Sequence, residues 1–266
     1  MGKLKIACHV CTWGELTQSH WEPVFRQVAE AGYDGVEGLF CDCAESLVEM
    51  ASSARKWGLE IVMVGARSPH QIIRYNAALG TGVAELWEGL PADFGGPEGS
   101  DEKRFAKVAK YFASFLEEAT RYKMKLVHHI HLGQMVMTPK DLDLFIKYMP
   151  DMGILFDTGH CVAGGHDPVD VLNKHSDRIH LVHLKDFRKG KNWDCYNRDF
   201  KESYFVPLGD GKSGLDVKAV LDLLAKNGYD GWVSCECDPL PSLMSQGWTA
   251  NDLVRKNREY LLSLGY

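Results

Sequence analysis

The chain has 266 residues, 45% of them hydrophobic and 25% charged, with a formal net charge of −6 and a pI near 6.0. That length and composition allow one large apolar core, and the acidic balance lacks the basic surface that a nucleic-acid partner requires. The first residues turn apolar only briefly before Thr12 and Gly14, too short a run for a signal h-region or a membrane span, so the expectation is a cytoplasmic protein with no membrane partner and eight reduced cysteines.

In chain order, apolar runs and helical periodicities alternate. A strand is expected over 5–10 and a helix over 20–31 that stops at Gly32. A second strand (35–40) and helix (44–57, closed by Gly58) follow, then a strand at 59–64, a helix at 69–79 and a strand at 83–87. Residues 91–101, rich in glycine and proline, read as a loop of a length suited to a lid. Next come an amphipathic helix over 101–123 and a fifth strand carrying three of the 11 histidines within four positions, His128, His129 and His131. Thr138 as N-cap and Pro139 at the first turn open a helix over 139–148. A strand (153–157), a helix capped by Asp167 (168–175) and a strand (179–183) precede an irregular, charged and aromatic segment over 187–214 that reads as a second site loop. A helix over 215–227, a strand over 231–235 and a helix over 250–264 complete the chain.

Eight strand-then-helix units imply parallel pairing and are the number that closes a (β/α)8 TIM barrel, here a single α/β domain over 1–266. An open doubly wound sheet would carry a glycine-rich phosphate loop after its first strand, and Thr12-Trp13-Gly14-Glu15 is not one.

In such a barrel the C-terminal strand ends surround one mouth. Here they supply His9, Glu37, Glu85 or Glu88, His129, His131, Asp157, His160, His183, Lys185, Asp186 and Glu236. Side chains alternate along a strand, which sends His129 and His131 one way and His128 the other, toward the helix layer. Carboxylates and imidazoles without clustered thiols suit a divalent ion such as Mn²⁺, Co²⁺, Mg²⁺ or Zn²⁺. Three consecutive strands close on Asp157, His183 and Glu236, a pattern that solubility does not explain. Other groups read both ways. His9 and His180 are each compatible with hydrogen-bonded core residues, and Glu37 with a mouth carboxylate or a salt-bridge partner. Trp13 suits the core or the face of a sugar ring. Cys8 and Cys11 form C-x-x-C on a strand rather than at a helix start, so a redox role is not expected, and Cys161, Cys235 and Cys237 read as core fillers.

Asp157-Thr158-Gly159-His160, His183-Leu184-Lys185-Asp186, Val206-Pro207-Leu208-Gly209-Asp210-Gly211 and Gly228-Tyr229-Asp230-Gly231-Trp232 ending in Glu236 resemble the xylose-isomerase-like TIM-barrel superfamily of sugar isomerases and epimerases. Within it, His129-Ile130-His131-Leu132-Gly133, followed by Thr138 and Asp141-Leu142-Asp143, is similar to the inosose (2-keto-myo-inositol) dehydratase group, with Ile130 where that group has its middle histidine. The first half matches more loosely, through Trp13-Gly14 and 32–38.

The resemblance implies a divalent-metal-dependent enzyme that abstracts a proton beside the carbonyl of a small keto-sugar or keto-polyol. Its metal ligands would be Asp157, His183, Glu236 and the fifth-strand His129, where epimerases carry glutamate. His131, His160 and Lys185 would meet substrate or orient the ligands. His9, Trp13 and Glu37, at the mouth, are candidate substrate-binding residues beside His131. Glu236 is the candidate base, with His160 or Lys185 as oxyanion donor or acid. Loss of a β-hydroxyl makes the enzyme a dehydratase, whereas return of the proton makes it an isomerase or epimerase. An endonuclease IV-type phosphodiesterase and a non-catalytic sugar-binding barrel are the remote alternatives. A homo-oligomer is left open.

Overall fold

The computed structural model describes residues 4–18, 21–86, 102–239 and 241–266. Glu88 and the expected lid over 91–101 lie outside the described residues.

Eight parallel strands form one curled sheet. In spatial order they are β4 (Glu60–Ile61), β2 (Gly35–Glu37), β1 (Lys5–His9), β12 (Trp232–Cys235), β9 (Ile179–Leu184), β8 (Gly153–Asp157), β7 (Lys125–His129) and β6 (Val83–Glu85). Closure is visible in the packing. Ala7, Val62, Met63, Val83, Val127, Leu155, Leu181 and Trp232 meet in one buried cluster, so residues after β4 and on β6, from the two ends of the ladder, share the barrel interior. The alternate residues of the same strands, among them Ile6, Cys8, Val36, Ala84, Leu126, Ile154, Phe156, Val182 and Val233, belong to a separate cluster under the helices. This is the two-sided burial that makes parallel strands apolar throughout.

The outer layer holds α1 (Trp21–Ala31), α2 (Ala44–Lys56), α3 (Pro69–Leu79), α4 (Glu102–Arg121), α5 (Pro139–Tyr148), α7 (Pro168–His175), α8 (Val217–Lys226) and α10 (Ala250–Ser263). Their starts follow capping chemistry. Thr138 and Asp141 form a capping box on α5, and Asp167 accepts from the amides of Val169 and Asp170 on α7. Among the described helices none is long and apolar enough to cross a membrane.

Three expectations change. The strand expected over 35–40 breaks at Gly38, whose φ is +77°, and β3 (Leu39–Cys41) leaves the barrel to pair with β5 (Val64–Ala66). The strand expected over 59–64 correspondingly divides into β4 and β5. The irregular segment contains an antiparallel pair, β10 (Asp186–Arg188) with β11 (Tyr204–Val206). A short helix, α6 (Thr158–Gly164), follows Asp157 directly, and α9 (Pro241–Met244) follows the last strand.

His128 faces the helix layer as expected, with its ring stacked on Phe145 at 5.6 Å and tilted against Phe112 at 6.2 Å. Burial, reinforced by His129, pushes its pKa down to about 3. The unfolded chain, with an ordinary histidine pKa near 6.5, therefore binds more protons between those values, and stability falls as pH drops below about 6.5. His128→Phe removes this proton uptake. From pH 7.5 to 5 the variant should gain about 2 kcal/mol on the parent in urea unfolding, and a pH-independent difference would show that His128 is not buried neutral.

Candidate active site

The mouth is built by the two-residue period of the strands. Two positions after an inward residue comes an ionisable one: His9 after Ala7, Glu37 after Gly35, Glu85 after Val83, His129 after Val127, Asp157 after Leu155, His183 after Leu181, Glu236 after Ser234. Pairing aligns them across strands, His9 with Glu37 and Asp157 with His183. The barrel thus ends in a layer of buried carboxylates and imidazoles.

His183, 1% exposed, is at the centre. Its Nε2 lies 2.9 Å from Glu37 Oε1 and, facing a carboxylate that only accepts, carries the proton. That turns Nδ1 toward Glu236 Oε2 at 2.8 Å and Asp157 Oδ2 at 3.9 Å. A second pair repeats the arrangement. His129 Nδ1 is 3.2 Å from Glu85 Oε1, and its Nε2 is 3.6 Å from the same Asp157 Oδ2. Asp157 Oδ1 accepts from the His160 amide at 2.7 Å and caps α6.

The donor atoms of His129, Asp157 and His183 lie within 4.8 Å of one another, as do those of His9, His183 and Glu236. The four expected ligands are therefore brought together, in two overlapping groups sharing His183. Asp157 Oδ2, His183 Nδ1 and Glu236 Oε2 are buried without an aligned hydrogen bond, although the last two are within hydrogen-bonding distance. Buried acceptors that converge without a donor are costly unless a cation joins them, so the residues present fit a divalent ion. Without one, the pocket favours a proton. Burial acts against charging His183, but Glu37 and Glu236 overcome it and raise its pKa well above the usual value. A metal must displace that proton.

Lys185, 2% exposed, sits beside this cluster. Its Nζ donates to Glu236 Oε1 at 2.7 Å, is 3.0 Å from Asp238 Oδ2 and lies 4.3 Å from the Phe205 ring centroid. Burial opposes its charge, yet Glu236 and Asp238 raise its pKa and keep it cationic. Burial likewise opposes the Glu236 charge, and Lys185 foremost holds that carboxyl well below its usual range. Gly159 on α6 makes room for the lysine, since a Cβ there would stand 3.0 Å from Lys185 Cγ.

His160 accepts from the Leu132 amide at Nδ1, 3.2 Å away, which leaves the proton on Nε2. That N–H is buried without a partner, and burial keeps the ring neutral by lowering its pKa well below the usual value. His131, with its ring 3.6 Å from that of His160, directs Nδ1 to the Leu132 carbonyl at 2.7 Å. Burial pushes the pKa of His131 down to about 3. His9 accepts from the Cys11 amide at Nδ1 and stands edge-on to His183, 5.2 Å between centroids. Gly38 is what admits it, because a Cβ at that position would be 2.5 Å from the His9 ring.

Two expected substrate contacts have partners within the protein. Glu37 is 0% exposed, and its Oε1 lies 2.9 Å from His183 Nε2. Trp13 packs in the main core with its Nε1 donating to Gln27 on α1. Asp186, a strand-end carboxylate, accepts from the amides of Phe187, Gly209 and Gly211 and so holds the loop after β11. Asp238, Phe205 and the pairing of Glu85 with His129 were not read from the sequence. Only Glu85 had a local signal there, as a polar end to an apolar strand.

A curled sheet of eight parallel strands under an outer layer of helices, with carboxylates and imidazoles gathered at the strand C-termini, defines a TIM-barrel protein with its candidate site at that end. The chain belongs to the xylose isomerase-like TIM barrel family, whose sequence profile matches residues 25–264. It is 34% identical over 149 residues to the inosose dehydratase of Lactiplantibacillus plantarum, an alignment covering 53% of this chain and 49% of that protein. The match therefore spans about half of that relative's length. The probable 3-DHS dehydratase of petrobactin synthesis from Bacillus anthracis shares the fold at a TM-score of 0.73 and 16% identity, over 97% of this chain and 99% of that one. So does a xylose isomerase-like TIM barrel protein from Mycobacterium smegmatis in complex with magnesium, at a TM-score of 0.72 and 17% identity over 98% and 96% of the two chains.

Proposed function

We propose that the protein is a divalent-metal-dependent dehydratase of the inosose dehydratase kind, acting on a small keto-polyol. The observation that carries this reading is the buried Lys185–Glu236 pair, 2.7 Å apart, at the edge of the donor cluster. It joins a base to an acid at one face of the site. His129, Asp157, His183 and Glu236 would hold the ion, Mn²⁺, Co²⁺, Mg²⁺ or Zn²⁺, which when bound supplies Lewis acidity that eases breaking of the C–H bond beside the substrate carbonyl.

The chain's own groups do the rest. Glu236 takes the proton from that carbon, and the neutral His160 Nε2–H donates a hydrogen bond to the carbonyl oxygen as charge develops there. The C–H electron pair becomes the new carbon–carbon π bond while the β C–O bond breaks. Lys185 Nζ gives a proton to the departing hydroxyl, which leaves as water. Protonated Glu236 then returns its proton to Lys185 across their contact, and both groups are restored. The pair is coupled in the right direction, because Glu236 is the first of the neighbours that raise the proton affinity of Lys185. Neutralising Glu236 readies the lysine to donate. His131 and His9 would receive the substrate's remaining hydroxyls.

An imidazole at the fifth strand, in place of a second carboxylate base, favours elimination over epimerisation. The test is metal-loaded protein with 2-keto-myo-inositol and with ketohexoses in D₂O, followed by NMR. Loss of one water from the inosose is expected. Deuterium entering an isomeric ketose, with no dehydration, would instead support the epimerase reading.

A further inference from the structure

We infer that Phe205 is a positioning residue that shields the Lys185–Glu236 pair from water, and so commits the reaction to loss of the hydroxyl rather than to exchange of the abstracted proton. This rests on the dehydratase reading above and adds the residue that decides the outcome.

The phenyl ring touches two groups of that chemistry. Lys185 Nζ lies 4.3 Å from its centroid, and the His160 ring stands edge-on to it at 4.6 Å. Carboxylates face the ammonium elsewhere, Glu236 at 2.7 Å and Asp238 at 3.0 Å, so Phe205 is its apolar wall. Lys185 is 2% exposed although Phe205 is only half-buried, which puts the ring between the ammonium and solvent. A cation–π contact strengthens as the cation is desolvated, so the same ring that excludes water also holds Nζ in place.

Its own hairpin keeps the ring there. Phe205 on β11 pairs with Phe187 on β10, 5.2 Å between centroids, and Trp193 lies 4.9 Å from Phe187 with its Nε1 donating to the Ala163 carbonyl at 2.7 Å. Ala163 belongs to α6, the helix that carries His160. The wall and the proposed oxyanion donor therefore share one support.

Once Glu236 holds the proton taken from carbon, elimination needs Lys185 to protonate the leaving hydroxyl before anything else reaches the pair. Water there would exchange the proton on Glu236 for one from solvent, and its return to carbon would regenerate the ketone with a solvent hydrogen. Closing a site against water suppresses such leakage.

Metal-loaded protein turning over 2-keto-myo-inositol in D₂O, stopped at partial conversion, tests this through mass spectrometry of the residual ketone. Wild type should return that ketone with no more deuterium than an enzyme-free control. Phe205→Leu should lower kcat with KM held and raise the deuterium incorporated per water lost by about tenfold, and Phe205→Tyr should restore the wild-type ratio. A second readout needs no substrate. In ¹⁵N-labelled protein the Lys185 ammonium protons should exchange with water about tenfold faster in Phe205→Leu than in wild type. Wild type that returns deuterated ketone, a leucine variant that keeps the wild-type ratio, or equal ammonium exchange in the two proteins overturns the inference while leaving dehydration standing. Wild type that removes no water from the inosose overturns the dehydratase reading, and with it the commitment assigned to Phe205.

Discussion

Replacing Lys185 by methionine should lower kcat by about 10²–10⁴-fold, the usual range for a positioned acid, while leaving one divalent ion bound. Methionine keeps most of the volume against Phe205 and removes only the charge and the proton. The pH profile carries a second, more specific signature. Lys185 is the first of the neighbours that depress the Glu236 pKa, so its loss lets that carboxyl rise. A base must be ionised to act, and the acid limb of the rate profile should therefore move to higher pH. Glu236 would also be left buried without its cation, a change that typically costs about 3–5 kcal/mol of stability, so circular dichroism of the metal-loaded variant must accompany the kinetics. A variant that keeps kcat within tenfold, or whose acid limb stays in place, would remove Lys185 from the chemistry.

The second large effect is expected at Asp157, whose two oxygens do different work. Oδ1 caps α6 through the His160 amide, and Oδ2 faces both histidines. Asp157→Asn keeps an oxygen for the cap and loses the charge. Metal affinity should fall by more than about 100-fold, since even outer partners of ligands are worth about 10–100-fold, yet the metal-free melting temperature should hold or rise as a buried charge is removed. Asp157→Ala loses the cap as well, at about 1 kcal/mol. Added Mn²⁺ should raise the melting temperature of the wild type and of neither variant. An asparagine variant that still gains metal-dependent stability would show that Asp157 is only a cap.

Much of this frame is legible in the sequence where local chemistry decides it. The helices α5 and α7 start where Thr138-Pro139 and Asp167-Pro168 place them, because a capping side chain and a fixed proline φ leave the backbone little choice. His128 and His129 separate to opposite faces as alternation requires. Asp157, His183 and Glu236 stand out because each ends an apolar run. By contrast, α6 is hidden. Thr-Gly-His-Cys-Val-Ala-Gly has two glycines and no helical stripe, and the helix forms because Asp157 caps it and Thr158 exchanges hydrogen bonds with the Lys185 backbone.

The rest of the site depends on contacts far apart in the chain. Glu37 and His183 are 146 residues apart and Glu85 and His129 are 44, so no spacing in the sequence says which carboxylate serves which imidazole. Asp238 lies past its strand, without an apolar run to mark it, and Phe205 lies in a segment whose charges conceal a two-stranded pair. The break at Gly38 was equally hidden, because only the approach of the His9 ring shows why a side chain is excluded there. Local signals locate the strand ends, and closure of the barrel decides how their side chains combine.

The most direct measurement is anomalous diffraction from crystals of the protein grown with Mn²⁺. The account predicts a single strong peak within bonding reach of Asp157, His183, Glu236 and His129. A peak at another place on the barrel, or none among these side chains at saturating metal, would contradict it.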